Sequence, residues 1–338
     1  MSTTTYESIQ FRGSPSGEVV QKTYTYDGLA PNEVIIKVTA SGLCFTDIHM
    51  LNSDMVLGHE GVGIVQAVGS GCKTVKVGDR VGWGYTNSCC EKCEFCLGQD
   101  DSYCKQVEWY GMANQDCGSL SSIAKRKEEW LFKIPSEMTD IDAAPLMCGG
   151  ATVWSPIIRN CKCFDRVGII GIGGLGHLAI QLLRKMGCDV VVFSTDASKR
   201  DEALSLGANE FHVVKGLQKD YGELDIKPVD RMLISTSAKI PMGQFYPIMK
   251  PRSTIIPLTV DQGDLTVPYT QHVLTGMTLQ GSAISPRLEQ QKMLDFAARN
   301  EIHVMAEKFP LTLKGVNEAV EKLKSGKMRY RGVLIPEN

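Results

Sequence analysis

Along residues 1–150, apolar and β-branched positions fall in short runs closed by glycine, as in Glu33 to Val38, Gly61 to Val68 and Asp79 to Gly84. Helical spacing is scarce among them, so this half predicts a small, partly open β-barrel. From Asp165 the pattern changes. Arg166 to Ile170 is a short apolar run, a glycine-rich turn follows, Leu178 to Met186 carries apolar residues at helical spacing, and Val190 to Phe193 is apolar again. That order predicts a βαβ unit. Runs at Arg231 to Ser235, Ser253 to Leu258 and Thr278 to Ser282 alternate with helix or loop, as in a mostly parallel, doubly wound sheet. Leu288 to Arg299 and Val316 to Leu323 predict amphipathic helices, and Met328 to Ile335 a closing strand. There is no internal repeat or long linker, so the change of pattern across Ala151 to Asp165 marks the domain boundary.

At 338 residues, with 36 Lys and Arg against 38 Asp and Glu, the chain has length for two domains and a nearly balanced charge. No basic run advertises a nucleic-acid or membrane-surface role, and no apolar run approaches the ~20 residues of a membrane span. The 12 cysteines change the picture. The chain opens Met-Ser-Thr-Thr-Thr-Tyr-Glu, without the basic and apolar segments of a secretory signal. A reducing, cytoplasmic setting is expected, where clustered cysteines point to metal or catalysis sooner than to disulfides.

Cys90, Cys93, Cys96 and Cys104 lie in one 15-residue stretch, with two residues between each of the first three. Four thiolates at this spacing close a tetrahedral zinc site with no open position, which makes the site structural. Paired disulfides or unrelated buried thiols are the competing readings, and Cys89 offers an alternative to Cys90 that the regular spacing disfavours.

A second set is dispersed: Cys44, then Thr46, Asp47 and His49, then His59 and Glu60, and much later Cys148. Two thiolates and an imidazole are the ligand set of an open zinc site, although by spacing alone these residues read more readily as core cysteines and a structural histidine. The surrounding chemistry favours ligation. Asp47 is placed to orient His59, Glu60 offers a carboxylate that can approach a metal when a ligand exchanges, and Thr46 with His49 makes a hydroxyl-to-imidazole proton path.

Gly171-Ile172-Gly173-Gly174-Leu175-Gly176 follows an apolar strand and opens a helix, the context in which this glycine spacing seats a pyrophosphate on a helix N-terminus. After the next strand come Ser194, Thr195 and Asp196, with Lys199 and Arg200 close behind. Hydroxyls and two cations suit a 2′-phosphate, which favours NADP(H). Asp196 argues for NAD(H) instead, and the cations also read as solvated helix-face charges.

Together these residues resemble the zinc-dependent medium-chain alcohol dehydrogenases, in particular their cinnamyl alcohol dehydrogenase-like branch. The likeness covers essentially the whole chain and is most specific at Cys44 to His49, Gly58 to Gly61, the cysteine lobe with its extra Cys89, Ala144 to Cys148, Gly171 to Gly176 and Gly326 to Arg331. It implies an α/β protein with a GroES-like, β-rich catalytic domain from both chain ends, 1–154 and 287–338, carrying the structural-zinc lobe at 89–104. A Rossmann domain at 155–286 lies between them. It also implies two Zn2+ per chain, the catalytic one held by Cys44, His59 and Cys148, with Glu60 as an alternate ligand. Thr46 and His49 match the family's relay, Thr152 a position near the nicotinamide, Ser194, Thr195 and Lys199 the phosphate-discriminating loop, and Trp109 a bulky pocket wall.

Two departures stand out. The stretch Met50 to Leu57 is shorter than the family pattern, and Phe45 takes a place that is often polar. The resemblance implies an NADP(H)-dependent alcohol dehydrogenase or aldehyde reductase with a small-molecule substrate, aromatic or conjugated, and a homodimeric assembly. Reduction of a conjugated alkene or iminium on the same fold is the alternative. A non-catalytic nucleotide-binding protein would leave Thr46 and His49 without a purpose.

Overall fold

The computed structural model describes residues 4–214, 221–260 and 263–337. They form two compact units, Met1–Ala151 with Ile284–Asn338, and Thr152–Ala283. Residues 152–154 therefore go with the second unit and 284–286 with the first, three residues from the expected boundaries.

The first unit is built on a seven-stranded sheet. Its order is Ala306–Pro310, Arg331–Ile335, Glu33–Leu43, Glu60–Val68, Arg80–Trp83 and Phe132–Lys133, with Ile123–Lys127 also paired to Glu33–Leu43. All neighbours are antiparallel except Ala306–Pro310 and Arg331–Ile335, which run parallel. Strand Glu33–Leu43 buries Val34, Ile36 and Val38 against Val65, Val81 and Trp83. Helix Leu313–Lys324 starts where Thr312 accepts a hydrogen bond from the Gly315 N–H. Its Val316, Ala319 and Val320, spaced to one face, pack with Leu43, Phe309 and Leu334. The strand expected from Met328 begins only at Arg331.

Few helices were expected before residue 150, and those present are short: Phe45–His49, Glu94–Leu97 and Asp140–Pro145. None is long enough to display a hydrophobic period. The last runs into a π-helical turn, Leu146–Gly150, and then into helix Ala151–Asn160.

The second unit holds a six-stranded, wholly parallel sheet ordered Glu210–Val213, Asp189–Ser194, Arg166–Ile170, Val229–Ile234, Met249–Pro257 and Thr278–Leu279. Numbered along the chain this is 3-2-1-4-5-6, the doubly wound order of dinucleotide-binding domains. Arg166–Ile170 is buried along its whole length, which is why it reads as an unbroken apolar run. Helix Gly176–Met186 packs Leu178, Ala179, Leu182 and Leu183 at zero exposure and stops at Gly187, whose φ of 97° is the left-handed end of a helix. Only Thr278 and Leu279 of the expected run to Ser282 pair, both exposed at the sheet edge. No helix among the described residues is long and apolar enough to cross a membrane.

Candidate functional site

Cys44 stands at the N-terminus of helix Phe45–His49, where its backbone N–H donates to the Asp47 carboxylate at 2.8 Å. The other Asp47 oxygen accepts from the Gly58 N–H at 3.1 Å and lies 3.0 Å from His59 Nδ1. Both side chains are fully buried. Nδ1–H therefore donates to Asp47, and Nε2 is left as a buried acceptor with no hydrogen-bond partner. That orphaned lone pair faces a matched set of donors: the ligand atoms of Cys44, His59, Glu60 and Cys148 all lie within 4.8 Å of one another. Cys148 arrives from the π-helical turn, roughly one hundred positions along the chain from Cys44.

The electrostatics suit a cation. Contact with Cys148 holds the Cys44 thiol well below its usual range, against the effect of burial and with help from His59 and Arg331. Burial lifts Glu60 to about 7 even though Arg331 is its ion-pair partner. Two thiols, an imidazole with a free nitrogen and a carboxylate, all buried except the half-buried Cys44, are the chemistry of a zinc site with an exchangeable position.

Thr46 Oγ1 lies 3.7 Å from Cys44 Sγ, while His49, three residues along the same helix, is exposed. Thr46 thus sits at the donor set and His49 reaches water. The Phe45 ring, 51% exposed, meets His49 edge-on at 5.4 Å. Sequence reasoning missed Tyr85 and Tyr110, whose rings lie 5.4 and 4.7 Å from that of His59. The Tyr110 hydroxyl is buried beside Asp47 without a well-formed hydrogen bond. Trp109 reaches this cluster through Tyr85, with ring centroids 6.1 Å apart. Aromatic packing of this kind carries no spacing signal.

In the cysteine lobe, Cys90, Cys93, Cys96 and Cys104 form the second group of convergent ligand atoms. The Sγ separations are 3.9 Å for Cys90 and Cys96 and 3.5 Å for Cys93–Cys96 and Cys90–Cys104. Sulfurs bound at ~2.3 Å around one tetrahedral zinc sit about 3.8 Å apart. The donors therefore fit the ion. Backbone N–H groups of Lys92 and Cys93 help lower the Cys90 thiol to about 6, whereas burial pushes Cys89 up. Cys89 lies outside the four-sulfur group, 3.5 Å from Cys96 and 3.9 Å from the Arg287 guanidinium. All twelve cysteines are free, which removes the disulfide reading.

The glycine turn occupies the switch point of the parallel sheet, between strands Asp189–Ser194 and Val229–Ile234. Gly171 has φ of 94°, a Cβ at Gly176 would overlap the Gly171 carbonyl, and a Cβ at Gly173 would enter open space. A cavity of about 480 Å³ opens there, lined by Gly171, Ile172, Gly173, Ser194, Thr195, Asp196 and Lys199 among others. Its size and its glycine-lined floor fit the adenosine end of a dinucleotide. Gly174, Leu175, Gly176 and Thr152 are not among its lining residues. Neither is Arg200, whose guanidinium lies 5.2 Å above the Phe211 ring. Of the two expected phosphate-facing cations Lys199 lines the cavity, and its Nζ donates to the Ile172 carbonyl at 2.9 Å.

Residues 30–136 match the alcohol dehydrogenase GroES-like domain and residues 174–299 the zinc-binding dehydrogenase domain. An alcohol dehydrogenase of Geobacillus stearothermophilus is 32% identical over 322 residues, covering 90% of this chain and 92% of its own. The chain belongs to the zinc-type medium-chain alcohol dehydrogenases. Within that family it falls in the cinnamyl alcohol dehydrogenase-like branch. A probable cinnamyl alcohol dehydrogenase of Oryza sativa subsp. japonica is 34% identical over 325 residues, 90% of this chain and 72% of that one. The structure of a cinnamyl alcohol dehydrogenase from Sorghum bicolor superimposes with a TM-score of 0.88 at 28% identity, covering 98% of both chains. This zinc-type dehydrogenase is thus an oxidoreductase that uses zinc and a nicotinamide cofactor.

Proposed function

We propose that the protein is a two-zinc, NADP(H)-dependent alcohol dehydrogenase working mainly as an aldehyde reductase on aromatic or conjugated aldehydes. The observation that carries the reading is the convergent set of Cys44, half-buried, with the buried His59, Glu60 and Cys148, and Asp47 holding the far side of His59. Cys44, His59 and Cys148 would hold the catalytic zinc, and Cys90, Cys93, Cys96 and Cys104 the structural one. A zinc in the open site supplies Lewis-acid polarisation of the carbonyl, and a bound nicotinamide supplies the hydride.

The remaining work falls to side chains. Asp47 fixes the His59 tautomer so that Nε2 points at the donor set. Thr46 presents a hydroxyl at that set and His49 an imidazole at the surface, so the two residues, with a ribose hydroxyl of the bound nicotinamide between them, would carry a proton between water and the substrate oxygen. Tyr85, Trp109 and Tyr110 give this side of the site an aromatic wall, which supports an aromatic or conjugated substrate.

The cofactor preference rests on Ser194, Thr195 and Lys199 in the cavity lining. Asp196 Oδ1 accepts from Ser198 N–H and Oγ–H at 3.0 and 2.7 Å, so one carboxylate oxygen serves as a local cap. Tyr269 and Leu274, more than four-fifths exposed, lie on helix Tyr269–Thr275 just before the edge strand Thr278–Leu279. This apolar, unpaired edge supports a homodimer, to be tested by light scattering. The free cysteines agree with a reducing cytoplasm.

The decisive experiment measures zinc per chain and then screens aliphatic, aromatic and α,β-unsaturated aldehydes with NADPH and NADH. Two zincs, NADPH preference and allylic alcohol as the product support the proposal. A saturated aldehyde as the product places the chemistry at C=C instead, and a preference for NADH removes the NADP(H) assignment.

A further inference from the structure

We infer that Lys239 is a specificity-determining residue for the cofactor, a second cation for the adenosine 2′-phosphate. The inference rests on the NADP(H) reading and deepens it. The nucleotide cavity is walled by the loops that follow the two strands flanking Arg166–Ile170. The loop after Asp189–Ser194 contributes Thr195, Asp196 and Lys199, and the loop after Val229–Ile234 contributes Thr236, Ala238, Lys239 and Ile240. Asp196, Lys199 and Lys239 are the charged residues in the lining.

Their commitments differ. Asp196 caps the following turn through Ser198, and Lys199 directs a hydrogen bond to the Ile172 carbonyl, tying its ammonium to the glycine turn. Arg200 is stacked on Phe211. Lys239 is exposed and makes no ion pair among the described residues. A phosphate monoester carries close to two negative charges at neutral pH, and a single ammonium that also serves a backbone carbonyl leaves much of that charge unmatched. Lys239 supplies the missing positive charge from the other wall. A four-carbon stem on a loop lets the ammonium follow the phosphate rather than demand one geometry.

The test uses the zinc-loaded, full-length protein and calorimetric titration with two probes, 2′,5′-ADP and 5′-AMP, which differ only by the 2′-phosphate. The wild type is expected to bind 2′,5′-ADP more tightly. Lys239→Ala is expected to weaken 2′,5′-ADP about tenfold and to flatten its salt dependence, while 5′-AMP stays within about twofold. Lys239→Arg is expected to restore the preference. An equal loss for both probes, or no loss for either, overturns the assignment of Lys239. If the wild type itself fails to distinguish the probes, the NADP(H) reading and this inference fall together. If it distinguishes them and Lys239→Ala does so equally well, only the inference falls. Matching thermal unfolding of the variants shows that the changes are local.

Discussion

The guanidinium of Arg331, on strand Arg331–Ile335 of the catalytic unit, is ion-paired to the carboxylate of Glu60 beside the candidate zinc ligands, and both residues are buried. A buried pair of this kind adds little net stability compared with apolar residues, but removing one partner strands the other charge. Arg331→Met is therefore expected to cost about 3–5 kcal/mol. Combining it with Glu60→Gln should recover much of that loss. Urea unfolding at matched zinc occupancy measures the coupling, and strictly additive losses would contradict it.

Asp47 holds His59 by one oxygen and the backbone of Cys44 by the other. Asp47→Asn keeps the volume but weakens acceptance from Nδ1–H, and zinc affinity at the open site is expected to fall about 10–100-fold. Competition with a chromogenic chelator reads this directly. Release of the structural zinc should be unaffected.

The two adjacent cysteines of the lobe are distinguished by substitution. Cys90→Ser removes a member of the four-sulfur group and is expected to lower zinc to one per chain, whereas Cys89→Ser leaves two. Metal analysis by mass spectrometry of purified protein decides it. The reverse result would move the ligand register by one residue.

Thr46→Val retains the shape of the side chain but removes the hydroxyl proposed to relay the proton. Turnover is expected to fall about a hundredfold or more, in the range of a lost acid–base step, with zinc content unchanged. Turnover within a few-fold of wild type would show that the proton takes another path.

A pH effect is expected away from the site. Glu128 accepts from the backbone N–H groups of Lys73 and Val75 at 2.6 and 3.1 Å and also from that of Thr74. Burial opposes its ionisation, and these donors outweigh it, holding the carboxyl below its ordinary value of 4.5. A depressed folded value means that stabilisation is complete above the ordinary pKa and disappears as the pH falls through the depressed one. Glu128→Gln should cost about 1–3 kcal/mol at pH 7, and the difference from wild type should shrink below pH 4 in unfolding titrations.

Where chemistry is local in the chain, it was legible in the sequence. The three cysteines at two-residue spacing and the glycines between strand and helix announce themselves because each cluster is built from one short segment. The open site is different. Cys148 was separable from an ordinary core cysteine only through a resemblance, because a π-helical turn with no periodic signature delivers it. Nothing in the segment Gly326 to Arg331 announces the pairing of Arg331, since its partner Glu60 is 271 positions away. Arg200 follows Lys199 directly, but adjacency in the chain does not fix direction: its guanidinium lies over the Phe211 ring. Lys239 was overlooked because its loop meets the cavity only once the parallel strands are in order.

The distance between Glu60 and Arg331 also orders events during synthesis. A ribosome delivers Cys44, His59, Glu60 and Cys148 before the second unit, but the strand that carries the counter-ion of Glu60 only after the whole of it. The intervening nucleotide unit draws its sheet entirely from residues between 166 and 279 and has every strand in hand before Arg331 is made. Until then Glu60 lacks the counter-ion it has in the fold, so the catalytic half of the enzyme matures only after the whole nucleotide unit has been made.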